Sequence, residues 1–265
     1  ADVSGFPLKL KSPATNGLLA ADFDRNAQYT FFIACQNGNV YGFDRFGRPL
    51  EGWNPQSEAG TLRLPLRRLQ TARSDLIFAL NEANQLWAFN RRGERKFGPI
   101  SMEGDFRQPP QIDTAAKRIV CANTAGKIYV LDPDGSFITL EPKLPPAKSD
   151  ALTLLHQIGG DSQHELVVLC GKNLAAFEIR DNTLKKIFQS GFAQTPDTLF
   201  GLPGLGIGTL QRKQKKISLT GKKGKPYSGF PLAAETPFAT APISPKSALL
   251  IAGYDRFLYA YKILY

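Results

Sequence analysis

The chain has 265 residues, of which 42% are hydrophobic and 21% charged, and its formal net charge at pH 7 is +10. This composition excludes wholesale disorder, and the apolar runs are too short for a transmembrane helix. The length fits one large domain or two small ones. The 24 glycines and 19 prolines, among 18 phenylalanines, favour short aromatic strands joined by tight turns.

One pattern recurs along the chain: an apolar strand, a short turn with Asn or Gly, a second strand with aromatic residues, and a further turn. The first apolar residue of the second strand serves as the anchor of each repeat. The six anchors are Val40, Leu86, Ile128, Leu174, Ile217 and Leu258. They lie 46, 42, 46, 43 and 41 residues apart. Antiparallel units that repeat every 40–50 residues are typical of a β-propeller. A β-sandwich is the alternative.

The pentapeptide SGFPL, which occurs at 4–8 and again at 228–232, marks a further strand in each unit. Gly52, Gly98 and Gly229 each follow an anchor by twelve residues. The last unit ends before this position, so we expect residues 1–10 to supply its missing strand. The sequence therefore predicts an all-β, single domain over residues 1–265. This is a six-bladed β-propeller of four-stranded antiparallel blades, whose last blade is closed by the N-terminal strand.

The first unit, NGLLAADFDRNAQYTFFIACQNGNVYGFDRFGRPLEGWN, resembles the FG-GAP or VCBS-type propeller repeats of bacterial secreted and surface proteins. The architecture is also broadly similar to that of pyrroloquinoline-quinone-type propellers. The resemblance implies an extracytoplasmic protein, periplasmic or at the cell surface. Because the chain starts at Ala1, without Met or a signal-type segment, we expect it to be a processed protein or part of a longer one.

Some members of this family bind calcium in a D-x-D-G-D loop, and the resemblance extends that hypothesis to this chain. Asp22, Asp24 and Asn26 match the oxygen-donor positions, whereas Arg25 replaces the glycine and the later acidic residue is missing. Calcium prefers six to eight oxygen ligands, several of them carboxylates. The alternative is an Asx-type turn in which the Asp side chains bind backbone amides. No other cofactor is expected.

Candidates for catalysis are few. His156 and His164 are the two histidines, and neither has the partner spacing of a metal pair or a catalytic triad, so both are interpreted as structural. Cys35, Cys121 and Cys170 stand in apolar contexts and are predicted to be buried free thiols.

The turns that follow the anchor strands carry basic residues in several units. Together with Arg25, which lies in the turn before the first apolar strand of its unit, they predict one positively charged face: Arg25, Arg45, Arg48, Arg91, Arg92, Lys222 and Lys223. Solubility is the simple interpretation. The more specific one is a non-enzymatic binding or scaffold propeller with a protein or anionic glycan partner. Nucleic acid is not expected, because the basic residues are not interleaved with aromatic ones. The alternative function is a carbohydrate-active hydrolase or lyase with its site at the central funnel.

Overall fold

The computed structural model describes residues 5–72, 74–144, 150–158, 163–202, 205–244 and 247–264. Within these ranges the chain forms 22 strands in six antiparallel sheets, and a 3₁₀ turn over Arg212–Gln214 is the only helical element. No helix among the described residues has the length and hydrophobicity that spanning a lipid bilayer requires. The chain divides into two compact units, Ala1–Thr139 and Leu140–Tyr265.

The first unit contains three sheets whose strands pair in chain order. Sheet 1 consists of β1 (Leu19–Asp22), β2 (Tyr29–Ala34) and β3 (Val40–Asp44). Sheet 2 consists of β4 (Arg67–Gln70), β5 (Asp75–Leu80), β6 (Gln85–Asn90) and β7 (Arg95–Ser101). Sheet 3 consists of β8 (Gln111–Asp113), β9 (Arg118–Ala122), β10 (Ile128–Leu131) and β11 (Phe137–Leu140), and its last strand ends at the boundary.

The second unit repeats this organisation. Sheet 4 consists of β12 (Leu152–His156), β13 (Glu165–Cys170), β14 (Asn173–Arg180) and β15 (Thr183–Gly191). Sheet 5 consists of β16 (Thr198–Leu202), β17 (Gly206–Gln211), β18 (Lys216–Thr220) and β19 (Leu232–Ala233). Sheet 6 consists of β20 (Ala239–Ser244), β21 (Ser247–Tyr254) and β22 (Phe257–Leu264).

Each of the six anchors lies in the third strand of its own sheet. Five anchors are buried, with exposures of 3% for Val40 and 0% for the next four. The sixth differs, since the side chain of Leu258 is 77% exposed. Alternate residues of a strand face opposite sides of the sheet, so the anchors mark an apolar face that is covered in the first five sheets.

Four sheets have the predicted four strands, and two have three. In sheet 1 the segment after β3 still lies beside it, because Gly42 N donates to Trp53 O (2.7 Å) and Val40 N donates to Gln56 O (2.8 Å). Sheet 6 consists of β20–β22 alone, and residues 5–10, which were expected to complete it, belong to no regular strand. Gly5 has φ of +89° and Pro7 lacks an amide hydrogen, and both features interrupt a strand. Residues 1–4 of the predicted strand lie outside the described ranges.

Apolar side chains fill the space between neighbouring sheets of the first unit. Between sheets 1 and 2, Phe32 and Val40 pack with Trp53, Ile77 and Phe89. A second cluster lies between sheets 2 and 3 and includes Leu86, Phe106 and Ile119. Trp53 is fully buried between two rings, 4.8 Å from Phe32 and 5.8 Å from Phe89 between centroids, both edge to face. Sheet 2 is therefore covered by apolar residues on both faces.

Apolar side chains also fill the space between neighbouring sheets of the second unit. Sheets 4 and 5 share a cluster that includes Val167, Leu174 and Ile207, and sheets 5 and 6 share one that includes Ile217 and Leu250. The three cysteines are free thiols, as predicted, and Cys35 and Cys121 are buried. Cys170 is only half-buried, since it closes β13 beside a turn.

Equivalent turns carry equivalent glycines, as the repeat predicts. Gly47, Gly93 and Gly135 have φ of +77°, +76° and +93°, the left-handed region that glycine enters without a steric penalty. Residues 5–8 and 229–232 share two backbone features, since Gly5 and Gly229 have positive φ and each segment has a cis Phe–Pro peptide bond.

Candidate functional site

The candidate site lies where the strands of sheets 1 and 2 end. In sheet 1, Asp22 pairs with Tyr29 and Thr30 pairs with Asp44, so the β1–β2 turn and the end of β3 lie at the same end of the sheet. Sheet 2 has the same arrangement, because Gln70 pairs with Asp75 and Leu76 pairs with Asn90. The turns that project from these ends contain Arg25, Arg45, Arg48, Arg91 and Arg92.

A side chain at the end of β3 organises the first basic turn. Asp44 Oδ1 accepts the amides of Phe46 (2.8 Å) and Arg48 (2.9 Å), and Asp44 Oδ2 accepts Arg48 Nε (2.6 Å). Burial by itself raises the pKa of Asp44, but these hydrogen bonds and the Arg48 charge outweigh it and lower the pKa. This hydrogen-bonded turn leaves the side chains of Arg45 and Phe46 exposed to solvent. The Arg45 guanidinium lies 4.6 Å from the Phe46 ring centroid.

Asn90 has the same role at the end of β6. Its Oδ1 accepts the amides of Arg92 (2.9 Å) and Glu94 (3.0 Å), and its Nδ2 donates to Glu94 Oε2 (2.7 Å). The turn therefore exposes Arg91 and Arg92 to solvent. Asp and Asn suit this position because a short side-chain oxygen can accept amides two and four residues further on.

Three of the five arginines bind other side chains at this surface. Arg91 Nη1 contacts Asp24 Oδ1 at 2.9 Å, which links the β6–β7 turn to the β1–β2 turn. Arg25 Nη2 donates to Gln70 Oε1 at 3.4 Å, and Arg48 pairs with Asp44. Arg45 and Arg92 are exposed and form no ion pair with a described residue. These two charges are the ones available to a partner.

The residues of the calcium hypothesis are used in local contacts. Asp22 Oδ1 and Oδ2 accept the amides of Asn26 (3.1 Å) and Ala27 (2.9 Å), and Asn26 Oδ1 accepts the amide of Gln28 (3.0 Å). Asp24 pairs with Arg91. The Asn26–Gln28 contact is an Asx turn and Asp22 also binds backbone amides, as in the alternative interpretation, whereas the carboxylate of Asp24 binds a side chain. No group of three or more His, Cys, Asp or Glu side chains suited to a metal occurs among the described residues.

A surface cleft of about 460 Å³ lies in sheet 2 between the β4–β5 turn and the β6–β7 turn. Nine of its ten lining residues are polar or charged, and they include both exposed arginines of the second turn together with Lys96. The cleft and Lys96 were missed by sequence reasoning. The signal was present in the order Asn90-Arg-Arg-Gly-Glu-Arg-Lys96, but only the pairing of β6 with both β5 and β7 places Lys96 in the same cleft as the β4–β5 turn.

The remaining predicted residues lie in the second unit. Lys222 and Lys223 are exposed in the turn after β18, which Gly221 and Gly224 close through their amides. His156 Nε2 is buried without a hydrogen-bond partner among the described residues. Burial lowers the pKa of His156, and the nearby His164 charge acts in the same direction, against Glu165 and backbone contacts. This environment agrees with a structural role in sheet 4.

No protein-family model matches this chain, and no curated protein does. Solved structures do match it. One is the crystal structure of BBS1N in complex with ARL6DN, soaked with lead, with a TM-score of 0.54 and 11% sequence identity. The match covers 83% of this chain, and the chain spans 66% of the length of that structure. At this identity the likeness concerns the fold alone.

The six antiparallel sheets and this likeness together define the class: the chain has a β-propeller-like fold, as BBS1N does. A propeller supports many unrelated functions, so any function has to be argued from the surface described above.

Proposed function

We propose that this protein is a non-enzymatic binding or scaffold propeller that presents the basic turns of sheets 1 and 2 to an anionic partner, either a protein or a glycan. The observation that carries the proposal is the exposure of Arg45 and Arg92 without an acidic partner among the described residues, next to the arginines of the same turns. Charges at one end of adjacent sheets add their fields, which raises the local concentration of an anion. Lys222 and Lys223 provide a similar turn in the second unit.

The test is retention on a sulfated polyanion at two salt concentrations, with Arg45→Glu/Arg92→Glu as the variant. We expect the unmodified protein to be retained at low salt and released at high salt, because screening weakens exposed charges. The double variant should elute much earlier. Lys185→Glu/Lys186→Glu is the matched control, since both lysines are exposed on β15 and the pair gives the same total change in charge. Equal elution of the double variant and the control would contradict the proposal.

We infer further that the six sheets are the blades of a single six-bladed ring, with residues 1–10 as the outer segment of the last blade. Two contacts in the first unit support this. A Cβ at Gly52 would overlap the Arg92 carbonyl oxygen, and a Cβ at Gly5 would overlap the Phe46 carbonyl oxygen. Gly5 thus lies against the turn of sheet 1 as Gly52 lies against the turn of sheet 2, which is the position of a preceding blade's fourth strand.

The resemblance to FG-GAP repeats supports an extracytoplasmic location as part of the same proposal. BBS1N was crystallised in complex with ARL6DN, so a propeller of this general shape can act by binding a protein.

A further inference from the structure

The cleft in sheet 2 has an unusual combination of charges. Its lining contains the basic residues Arg91, Arg92 and Lys96 and the acidic residues Asp75 and Glu94. A shallow cleft of about 460 Å³ has the size of small-ligand sites, which span roughly 300–1,000 Å³. The question is which of these charges are already neutralised.

The carboxylates of the cleft are held by neighbours. Asp75 Oδ1 accepts Arg68 Nη2 (2.6 Å) and Arg68 Nε (2.9 Å), and this pair is mostly buried. Glu94 Oε2 accepts a hydrogen bond from the side-chain Nδ2 of Asn90 at 2.7 Å. Arg92 and Lys96, in contrast, are exposed and form no ion pair with a described residue. The cleft therefore offers two cations to an incoming anion.

The other lining groups indicate a ligand rich in hydroxyls. Gln70, Ser74 and Asn90 form hydrogen bonds within the protein but keep capacity for further ones, such as the second Nδ2 hydrogen of Asn90. The two held carboxylates keep lone pairs that can accept hydroxyl hydrogens. An acidic peptide brings carboxylates but few hydroxyl donors. The described lining contains no aromatic ring on which a nucleobase could stack. An acidic sugar satisfies both the cations and the acceptors.

We propose that this cleft is a subsite for one acidic sugar residue of an anionic glycan. Arg92 and Lys96 bind its carboxylate or sulfate, while Asn90, Ser74 and the Asp75 carboxylate bind its hydroxyls. The proposal rests on the proposed function, since it assigns the anionic partner of the same basic surface. Charge-assisted hydrogen bonds to the planar guanidinium of Arg92 give the contact its direction.

The test is isothermal titration with a heparin-derived tetrasaccharide and, separately, with hexaglutamate. Arg92→Gln and Lys96→Gln are the variants, and Lys185→Gln is the control. We expect each cleft variant to weaken tetrasaccharide binding about tenfold or more, since a hydrogen bond to a charged group contributes about 1.5–3 kcal/mol. The control should bind normally, and hexaglutamate should bind more weakly than the tetrasaccharide. Thermal unfolding of each variant checks that the fold is kept.

Failure of the subsite and failure of the proposed function are distinguishable. If Arg92→Gln and Lys96→Gln bind the tetrasaccharide as the control does, while Arg45→Gln weakens it, the subsite is overturned and the basic surface stands. Tighter binding of hexaglutamate overturns the sugar assignment and favours an acidic protein partner. Absence of binding to either probe at low salt overturns both proposals.

Discussion

Short polar side chains at the ends of strands decide where the basic residues point. Asp44 and Asn90 occupy the same position of two repeats, four residues after their anchors, and each accepts two amides of its turn. The carboxylate or amide replaces water around those amides and fixes the turn. The residues that the turn directs outward are then free to carry function, as we propose for Arg45 and Arg92.

The partly buried side chain of His156 makes the free energy of unfolding depend on pH. Burial lowers its pKa below the ordinary value of 6.5, because the charged imidazolium loses hydration. The unfolded chain therefore takes up this proton at a higher pH than the folded chain does. We expect the free energy of unfolding to fall as the pH drops from 7.5 towards 5, and to be unaffected by this residue above its unfolded pKa.

Urea unfolding at several pH values measures this effect, with His156→Gln as the variant. The variant should lose less stability than the unmodified protein between pH 7.5 and 5.5. The charges that face His156 are those of Glu165 and His164. His164→Gln shows how much of the pH dependence comes from the second histidine, and identical slopes for His156→Gln and the unmodified protein would contradict the assignment.

At the scale of the elements, turns that contain glycine pack closely against the neighbouring sheet. Gly52 has φ of +76°, and a Cβ there would overlap the Arg92 carbonyl oxygen of the adjacent basic turn. Gly60 also has positive φ, +67°, but a Cβ at this position would meet no atom within 4 Å. The two sites share a left-handed backbone that would strain a residue with a Cβ, and they differ in contact.

Gly60→Ala should lower the free energy of unfolding by about 1 kcal/mol, which is the penalty of left-handed backbone for a residue with Cβ. Gly52→Ala should lower it by about 2–4 kcal/mol, because overpacking adds roughly 1–3 kcal/mol. Chemical denaturation of the two variants measures the difference. Equal losses would show that the Gly52 turn can move away from sheet 2 without cost.

At the scale of the whole molecule, the two ends of the repeat have uncovered apolar faces. In sheet 1, Phe31, Ile33 and Phe43 line an apolar groove of about 580 Å³ with the N-terminal segment. In sheet 6, Leu258 and Leu264 are 77% and 71% exposed. Uncovered apolar faces of this kind favour association. Closure of the proposed ring would cover both.

Deletion of residues 1–10 tests the closure. If these residues form the outer segment of the last blade, the deletion should lower the unfolding midpoint of the whole protein, since a sheet edge and an apolar face would lose their cover. If they are a dispensable tail, the midpoint stays unchanged.

Leu258→Gln gives an independent measurement of the same closure. A covered Leu258 would make this variant about 2–3 kcal/mol less stable, whereas an exposed one would change stability by less than about 0.5 kcal/mol. Ile187→Gln is the control, because Ile187 is exposed on β15. A loss that depends on protein concentration would show that a second copy covers the face, against closure within one chain.

Much of the fold could be predicted because its signals are local. Each anchor is an apolar residue between turn residues, and every one lies in the strand predicted for it. The glycines of the turns were predictable for the same reason, since positive φ is a property of a few neighbouring residues. The prediction of an outer strand for sheet 6 was less successful. Residues 5–10 form no regular strand, because Gly5 and Pro7 interrupt the pairing, and this segment is distant in sequence from β22.

The candidate site was predictable only in part. Arg45, Arg48, Arg91 and Arg92 could be assigned to turns, but the pairing of Arg91 with Asp24 joins residues 67 positions apart. That contact reduces the set of available charges and uses one of the proposed calcium ligands. Lys96, which follows the turn, became relevant only through the cleft.

The sequence by itself determined the repeat, the strands and the turns, since alternation of apolar residues and the backbone preferences of glycine, Asp and Asn act over a few residues. The tertiary structure decided which charges are neutralised, that Asp22 binds amides, and that Arg92 and Lys96 share a cleft. Those outcomes depend on distances between separate strands and turns, and electrostatic interactions fall off so steeply with distance and screening that only the packed sheets can specify them.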